Sequence, residues 1–358
     1  MINDNEIKHL LLHVEQILTF ESIDIRSTID KPEFPSEEFR EFMELITKWN
    51  LSDSCSNDLL KFSQKIRRDD VILPTSTKQG RQLLDQMNVP HISFKKDPIM
   101  VYDGETYYLY YHRIFDALKE LLSNPNISQH CNFEFKSLYH EGQRVYHEQY
   151  NGEWWERVQN SIPIGAKVLS IILYSDATTC DQLGRTSEHP IYLTLGNIPS
   201  WIRNKPDAKV LLGYLPQLKA KTSSQKKSES FKLAKHALYQ HSLNILTRPI
   251  LDYNINGFNL QTDNNELWCY PFISVMLGDL PENAAVTLTF NSVNCNCPCH
   301  QCLVEGKNLN NVEFTDEHIN LRTPSTMKAF VDQGLAQRYS LHNMKNIFWD
   351  HPYVSHDC

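Results

Sequence analysis

From Lys167 to Ser175 the chain reads KVLSIILYS, a run of β-branched and aliphatic residues that stops at a carboxylate, Asp176. A short apolar run bounded by turn residues is the pattern of a strand covered on both faces. Pro190 to Leu195 and Lys209 to Leu215 repeat it, and Trp268 to Leu277 gives a longer apolar segment ending in Gly278-Asp279. Between the third and fourth of these runs, Phe231, Ala234, Leu238, Ser242 and Ile245 share one face of a helix from about Glu229 to Leu246. The stretch before it, KAKTSSQKKSES, is polar and basic and reads as a mobile loop.

Upstream the rhythm is different. Residues 1 to 70 read as helical, with Phe39, Phe42, Met43, Ile46 and Trp49 at helical spacing behind the start signal Pro35-Ser36-Glu37-Glu38. Residues 71 to 112 read as β-like and loop-rich, ending in TYYLYYH. Ile114, Phe115, Leu118, Leu121 and Leu122 then predict a short amphipathic helix closed by Asn124-Pro125.

Three sequential strands, a helix and a further buried strand tipped by an acid are the order of an RNase H-like core. The expected fold class is therefore α+β or α/β: a mixed sheet flanked by helices. The expected division is a mainly helical region over residues 1–130, the core over 131–290, and a Cys/His-rich, partly helical insertion over 291–358.

Composition changes this picture little. The 358 residues are 41% hydrophobic and 22% charged, enough for one large domain or two. No run approaches the roughly 18 apolar residues of a membrane span. The start, MINDNEIKHLLLHVEQILTF, has neither the basic region nor the cleavage site of a signal peptide. A soluble intracellular protein, nuclear or cytoplasmic, is expected. The net charge of −8 argues mildly against a free-standing nucleic-acid binder, which needs cations to neutralise phosphates. A magnesium-dependent nuclease can still be acidic, because the metals carry the local positive charge.

Several residue groups could carry chemistry. Asp176 either begins a turn or stands as a metal-binding carboxylate on a rigid strand end. Lys219, Lys221, Lys226 and Lys227, with Lys232 and Lys235 beyond, would contact a DNA backbone or simply solvate a polar face. Trp154 and Trp155 would stack on bases or pack in the core. Of the nine cysteines, four crowd into Cys295-x-Cys297-x-Cys299-His300-x-Cys302, which is metal-site rather than disulfide spacing. Cys297, Cys299 and Cys302 are the best zinc ligands, completed by Cys295, His300 or the more distant His318.

The segment LYSDATTCDQLGRTSEHPIYLTLGNIPSWIRNKPDAKVLLGYLPQLK carries Ser175, Asp176, Thr178, Thr179, Gly184, Pro190, Tyr192, Leu193, Gly196, Asn197, Arg203, Leu212, Gly213, Leu215 and Pro216 in an order that resembles the catalytic core of Plavaka-type transposases, a fungal group within the CACTA-like DDE/D transposases. Gly152, Trp154, Trp155 and Gln159 resemble the lead-in of the same family, and GDLPENAAVTLTFNSVNCNCPCHQC resembles its second acidic block with a Cys-Pro cluster. The likeness spans roughly residues 30 to 358. It implies that Asp176 and Asp279 are the first and second catalytic acids and hold two magnesium or manganese ions. It implies metal-dependent cleavage and strand transfer of DNA, with transposon ends as partner and a homo-oligomer as one assembly. Asp181 is a lesser candidate, and Glu282 reads as structural. The family's third acid lies near a P-D-x-[LM]-H motif, of which NIFWDHPYVSHDC resembles only the preceding segment, leaving Asp350 and Asp357 as the nearby acids. The expectation is a transposase-related chain that is inactive or incomplete, the alternative being a non-catalytic DNA- or protein-binding remnant.

Overall fold

The computed structural model describes residues 23–24, 34–49, 51–66, 71–86, 94–180, 187–261, 266–292, 294–315, 317 and 319–354. Ser27–Ser93 form one compact unit; Met1–Arg26 and Phe94–Cys358 form another.

The smaller unit is built from α1 (Glu37–Lys48), α2 (Asp53–Ile66) and α3 (Thr77–Gln86). Ser36 caps α1 by accepting from the Phe39 amide, and the face that periodicity marks, Phe39, Phe42, Met43 and Ile46, packs with Leu60. Of the stretch 71–112, read as β-like and loop-rich, Lys95–Tyr102 and Glu105–Tyr111 are strands, while the third helix, Thr77–Gln86, corrects the reading there. Its sequence has a central glycine and few apolar residues, so tertiary contacts decide. Asn57 accepts from both the amide and the hydroxyl of Thr77, and a Cβ at Gly80 would lie 2.4 Å from the Met43 sulfur. A side chain at this position would force the buried Met43 thioether to move.

The larger unit carries one mixed eight-stranded sheet. Its strands are β1 (Ile23–Asp24), β2 (Lys95–Tyr102), β3 (Glu105–Tyr111), β4 (Lys167–Ser175), β5 (Pro190–Leu195), β6 (Val210–Tyr214), β7 (Phe258–Gln261) and β8 (Glu266–Leu277), in the spatial order β1-β7-β8-β4-β5-β6-β3-β2. β4, β5 and β6 form an antiparallel meander, and β8 lies parallel to β4 on its other side. Pro98 interrupts β2, where a missing N–H is harmless because β2 is the edge strand. The longer helices of the unit are α4 (Ile114–Ser123), α5 (Glu153–Ser161), α6 (Glu229–Asn256), α7 (Leu280–Thr287) and α8 (Pro324–Asp332).

Alternation along β4 assigns the two faces. Leu169, Ile171 and Leu173 enter the main core with Leu118 and Leu121 of α4 and Leu238, Leu246 and Ile250 of α6. Val168 points the other way, joining Tyr270 and Phe272 of β8 beneath Trp155 and Val158 of α5. The fully buried Trp155 thus packs in the core, the second of the two expectations for the tryptophan pair.

Two boundaries differ from the expected ones. α6 continues through Pro249 to Asn256, because Ile250 and Tyr253 are still buried and Gly257, at φ +67°, ends the helix. The stretch read as a mobile loop contains a short helix, Ser223–Lys227, capped by Thr222 and followed at once by Ser228, the cap of α6. Hydroxyl caps supply what its polar composition does not signal. No helix among the described residues is long and apolar enough to cross a membrane.

Candidate active site

The ends of β4 and β8 are brought level by a β-bulge. Val168 pairs with Tyr270 and Ser170 with Phe272, yet Ile172 pairs with Val275 and Tyr174 with Leu277. One extra residue therefore lies in β8 between Ile273 and Val275. It is Ser274, whose buried hydroxyl donates to the Ile171 carbonyl at 3.1 Å. Side chains alternate strictly along a strand, so the extra residue moves every later side chain of β8 to the opposite face. Asp176 and Asp279 each lie two residues beyond the last matched pair, Tyr174 and Leu277. Both leave the same edge of the sheet, at the ends of adjacent parallel strands.

Tyr174 ties them together. Its hydroxyl donates to Asp176 Oδ2 at 3.2 Å. Burial raises the phenol's pKa above its ordinary value, and the bond to Asp176 and the charges of Asp176 and Asp279 raise it further. Asp176 is otherwise exposed. Asp279 has a second task. It is the N-cap of α7, accepting from the Glu282 amide at 2.8 Å through Oδ1, with a proline in the first turn. The cap engages Oδ1 of a residue that is otherwise exposed.

Glu282, one turn into α7, turns inward. It is 8% exposed and accepts from Tyr239 of α6, from His189 Nε2 at 3.0 Å and from the Ser175 hydroxyl. Burial alone would raise its pKa, but these donors outweigh it and hold the carboxyl below the usual range. Burial and the adjacent carboxylate push Tyr239 well above the ordinary phenol value. The Glu282 stem lies over Gly278, where an added Cβ would come within 2.7 Å of its Cγ. One buried acid thus clamps the end of β4, the start of β5, α6 and the cap that carries Asp279.

The other acids fall elsewhere. Thr178–Thr179 form a two-residue ribbon with Ser187–Glu188 rather than a simple turn, and Asp181 lies outside the described residues. Asp350 pairs with Lys345 at 2.6 Å in the turn Ile347–Asp350, which buries Phe348 in the core shared with α6. Asp357 and His318 also lie outside the described residues. Among the described residues, no group of three or more His, Cys, Asp or Glu side chains is placed to hold a metal ion.

Cys297, Cys299 and Cys302 surround an unexpected cation. Arg322, 1% exposed, donates to the carbonyls of Cys297, Cys299 and Cys302 at 2.9 to 3.1 Å. Burial lowers the guanidinium's pKa, opposed by the thiols of Cys295, Cys297, Cys299 and Cys302. Cys299 and Cys302 approach one another, and the Gln301 and Val304 amides donate to their sulfurs. Cys297 instead donates to the Leu303 carbonyl at 3.5 Å.

The basic stretch leaves the sheet at the acid end. β6 runs parallel to β4, and its last residue, Tyr214, pairs with Pro190 beside the end of β4. Lys219, Lys221, Lys226 and Lys227 follow and are all exposed. Lys221 bonds Asp103 at 2.9 Å in the β2–β3 turn, which extends beyond the last residue of β6.

The structure puts Asp176 and Asp279, both named from sequence, just beyond the ends of adjacent parallel strands; Tyr174, His189 and the bulge were not singled out. Tyr174 has a readable signal, since position i−2 of a strand acid shares its face. A family model described as Plavaka transposase matches residues 75–356. No curated protein matches the chain.

Proposed function

Because the chain belongs to the Plavaka transposase family, we propose that the edge formed by Asp176 and Asp279 is the metal-binding centre of an RNase H-like core that acts on DNA phosphodiesters. The observation that carries this reading is the register: one bulge sets two carboxylates on the same face at adjacent parallel strand ends. The meander followed by a helix and a strand parallel to its first member supports the fold assignment.

The residues present fit a divalent cation. Magnesium is commonly held by one or two carboxylates, with water and substrate phosphate filling the other positions. Asp176 has one oxygen held by Tyr174, and Asp279 one held by its cap, so each has another to offer. Bound magnesium or manganese would activate the attacking oxygen and stabilise the leaving one. The chain's own residues fix the two carboxylates, orient Asp176 through the Tyr174 hydroxyl, and present lysines to the backbone of DNA at the same end of the sheet. With two carboxylates and no third at the edge among the described residues, the reading is weak metal binding and little cleavage. Manganese titration tests this: Asp176→Asn and Asp279→Asn should each weaken binding at least tenfold, and unchanged titrations would end the proposal.

A second reading, a DNA-binding protein without catalysis, draws on the same lysines and on the sparse acid set. Duplex binding in EDTA without cleavage in manganese favours it. A zinc ion at Cys297, Cys299, Cys302 and His318 is a separate proposal. Its support is the Cys299–Cys302 pair, which lies close together at C-x-x-C spacing. Zinc found at less than a tenth of an equivalent by elemental analysis would exclude it.

A further inference from the structure

Helix α5 covers only the first half of the sheet's second face. Val168 lies beneath Trp155, but Ile172 and Tyr174, further along the same face of β4, line an open cavity of about 380 Å³. Its far wall is polar and cationic, formed by Gln149, Arg203, Asn204 and Lys209. Tyr192, the cross-strand partner of Tyr174, lines it as well, the two rings lying 6.4 Å apart and inclined by 30°.

The polar wall is a built feature. The Gln149 side chain crosses the sheet over Gly196, where a Cβ would come within 1.5 Å of its Oε1. That oxygen accepts from the Ser170 hydroxyl at 2.6 Å, so the amide nitrogen holds the donors left to offer. Buried Glu148 accepts from the Ser200 amide and hydroxyl at 2.7 and 2.9 Å. Its other oxygen lies 3.5 Å from Arg203 Nη2, an ion pair. Arg203 Nη1 is buried and has no hydrogen-bond partner. Glu148 Oε2 is likewise shielded from solvent without a hydrogen-bond partner, so it and Arg203 hold one another by charge alone. Glu148 neutralises Arg203, so the exposed Lys209 supplies the net positive charge. The other end of the cavity is Tyr174, whose hydroxyl holds Asp176.

We propose that this cavity is a nucleotide pocket. It takes one unpaired deoxynucleotide of a DNA strand, with the base against Tyr174 and Tyr192 and a phosphate against Arg203 and Lys209. The volume lies within the range of small-ligand sites, at the lower end of about 300–1,000 Å³. Aromatic faces accept any base by stacking, and the guanidinium fork suits phosphate oxygens. The inference rests on the reading of this chain as a DNA-acting protein and extends it. The strand that meets the acid edge runs on across the sheet, and one of its bases is drawn out of the duplex into this pocket.

The test uses the whole chain in EDTA, so that metal binding plays no part. A single-stranded octanucleotide carrying one 2-aminopurine is titrated, and stacking on tyrosine should quench its fluorescence. Tyr192→Leu should weaken binding about tenfold or more and abolish the quench. Lys209→Gln, at an exposed position, should weaken it several-fold and reduce the salt slope by about 0.7. Thermal denaturation checks that both variants remain folded. If both bind and quench like the wild type, the pocket assignment is overturned. If the free 2-aminopurine deoxynucleotide binds as tightly as the octanucleotide, or a fully paired duplex is quenched equally, the unpaired-strand assignment is overturned. Failure here leaves manganese titration of Asp176 and Asp279 unaffected, and failure there leaves this result standing.

Discussion

Replacing Glu282 by glutamine probes the clamp behind the acid edge while keeping its shape. In the wild type three hydroxyl or imidazole groups, from Tyr239, His189 and Ser175, converge on one buried carboxylate. Hydrogen bonds to a charged acceptor are worth roughly twice neutral ones, so each loses about 1 kcal/mol when the acceptor becomes an amide. Relief from burying a charge offsets part of that loss, leaving Glu282→Gln about 2 kcal/mol less stable at neutral pH. Glu282→Ala, which strands His189 and Tyr239 in the interior, should cost about 3–5 kcal/mol. Urea denaturation at several pH values reads both differences. The folded carboxyl lies below its unfolded value, so its contribution is fully present above about pH 4.3 and is lost as pH falls through the folded value. The gap between wild type and Glu282→Gln should therefore be flat from pH 7 to about 5 and narrow below 4. A glutamine variant as stable as the wild type at neutral pH, with a gap that ignores acidification, would show that Glu282 is not a charged acceptor in the folded protein.

Asp279→Asn retains a good cap and should change stability by less than about 0.5 kcal/mol, whereas Asp279→Ala should cost about 1 kcal/mol; equal stabilities would deny the capping role seen at Glu282. Lys226→Gln combined with Lys227→Gln should lower the salt slope of duplex binding by about 1.8, and an unchanged slope would place the DNA elsewhere. Arg322→Met removes the donors that gather three cysteine carbonyls and should expose the 290–341 segment to limited proteolysis; a variant as resistant as the wild type would mean that the cysteines hold the segment without it.

What could be read from the chain was whatever hydrophobic periodicity marks strongly. β4, β5 and β8 are nearly continuous apolar runs, and their limits were visible because strands covered on both faces leave little room for polar residues. The helix at Thr77–Gln86 was hidden because Gly80 and a polar face erase its period, and contacts from Asn57 and Met43 decide the matter. Asp176 and Asp279 were named from their position after apolar runs and from family resemblance, and the structure sets both just beyond strand ends. Their common face could not be found that way. Counting from Phe272 to Asp279 in regular β-periodicity puts Asp279 on the wrong side, and only the bulge at Ser274 corrects it. Arg322 was invisible for a different reason: it is far from the cysteines in sequence, and its partners are backbone carbonyls that every residue possesses.

The bulge has a consequence for how this protein tolerates change. What places Asp279 beside Asp176 is the number of residues between them and the matched strand pairs, not the chemistry of Ser274 itself. A substitution at Ser274 forfeits one hydrogen bond and keeps the count; deleting it keeps every acid in the sequence while turning one of them to the other face of the sheet. Two chains could differ by a single residue, retain the same acidic motifs when compared letter by letter, and differ in which face of the sheet those acids occupy. For proteins built on this plan, arithmetic along a strand is as much a functional property as the residues at its end.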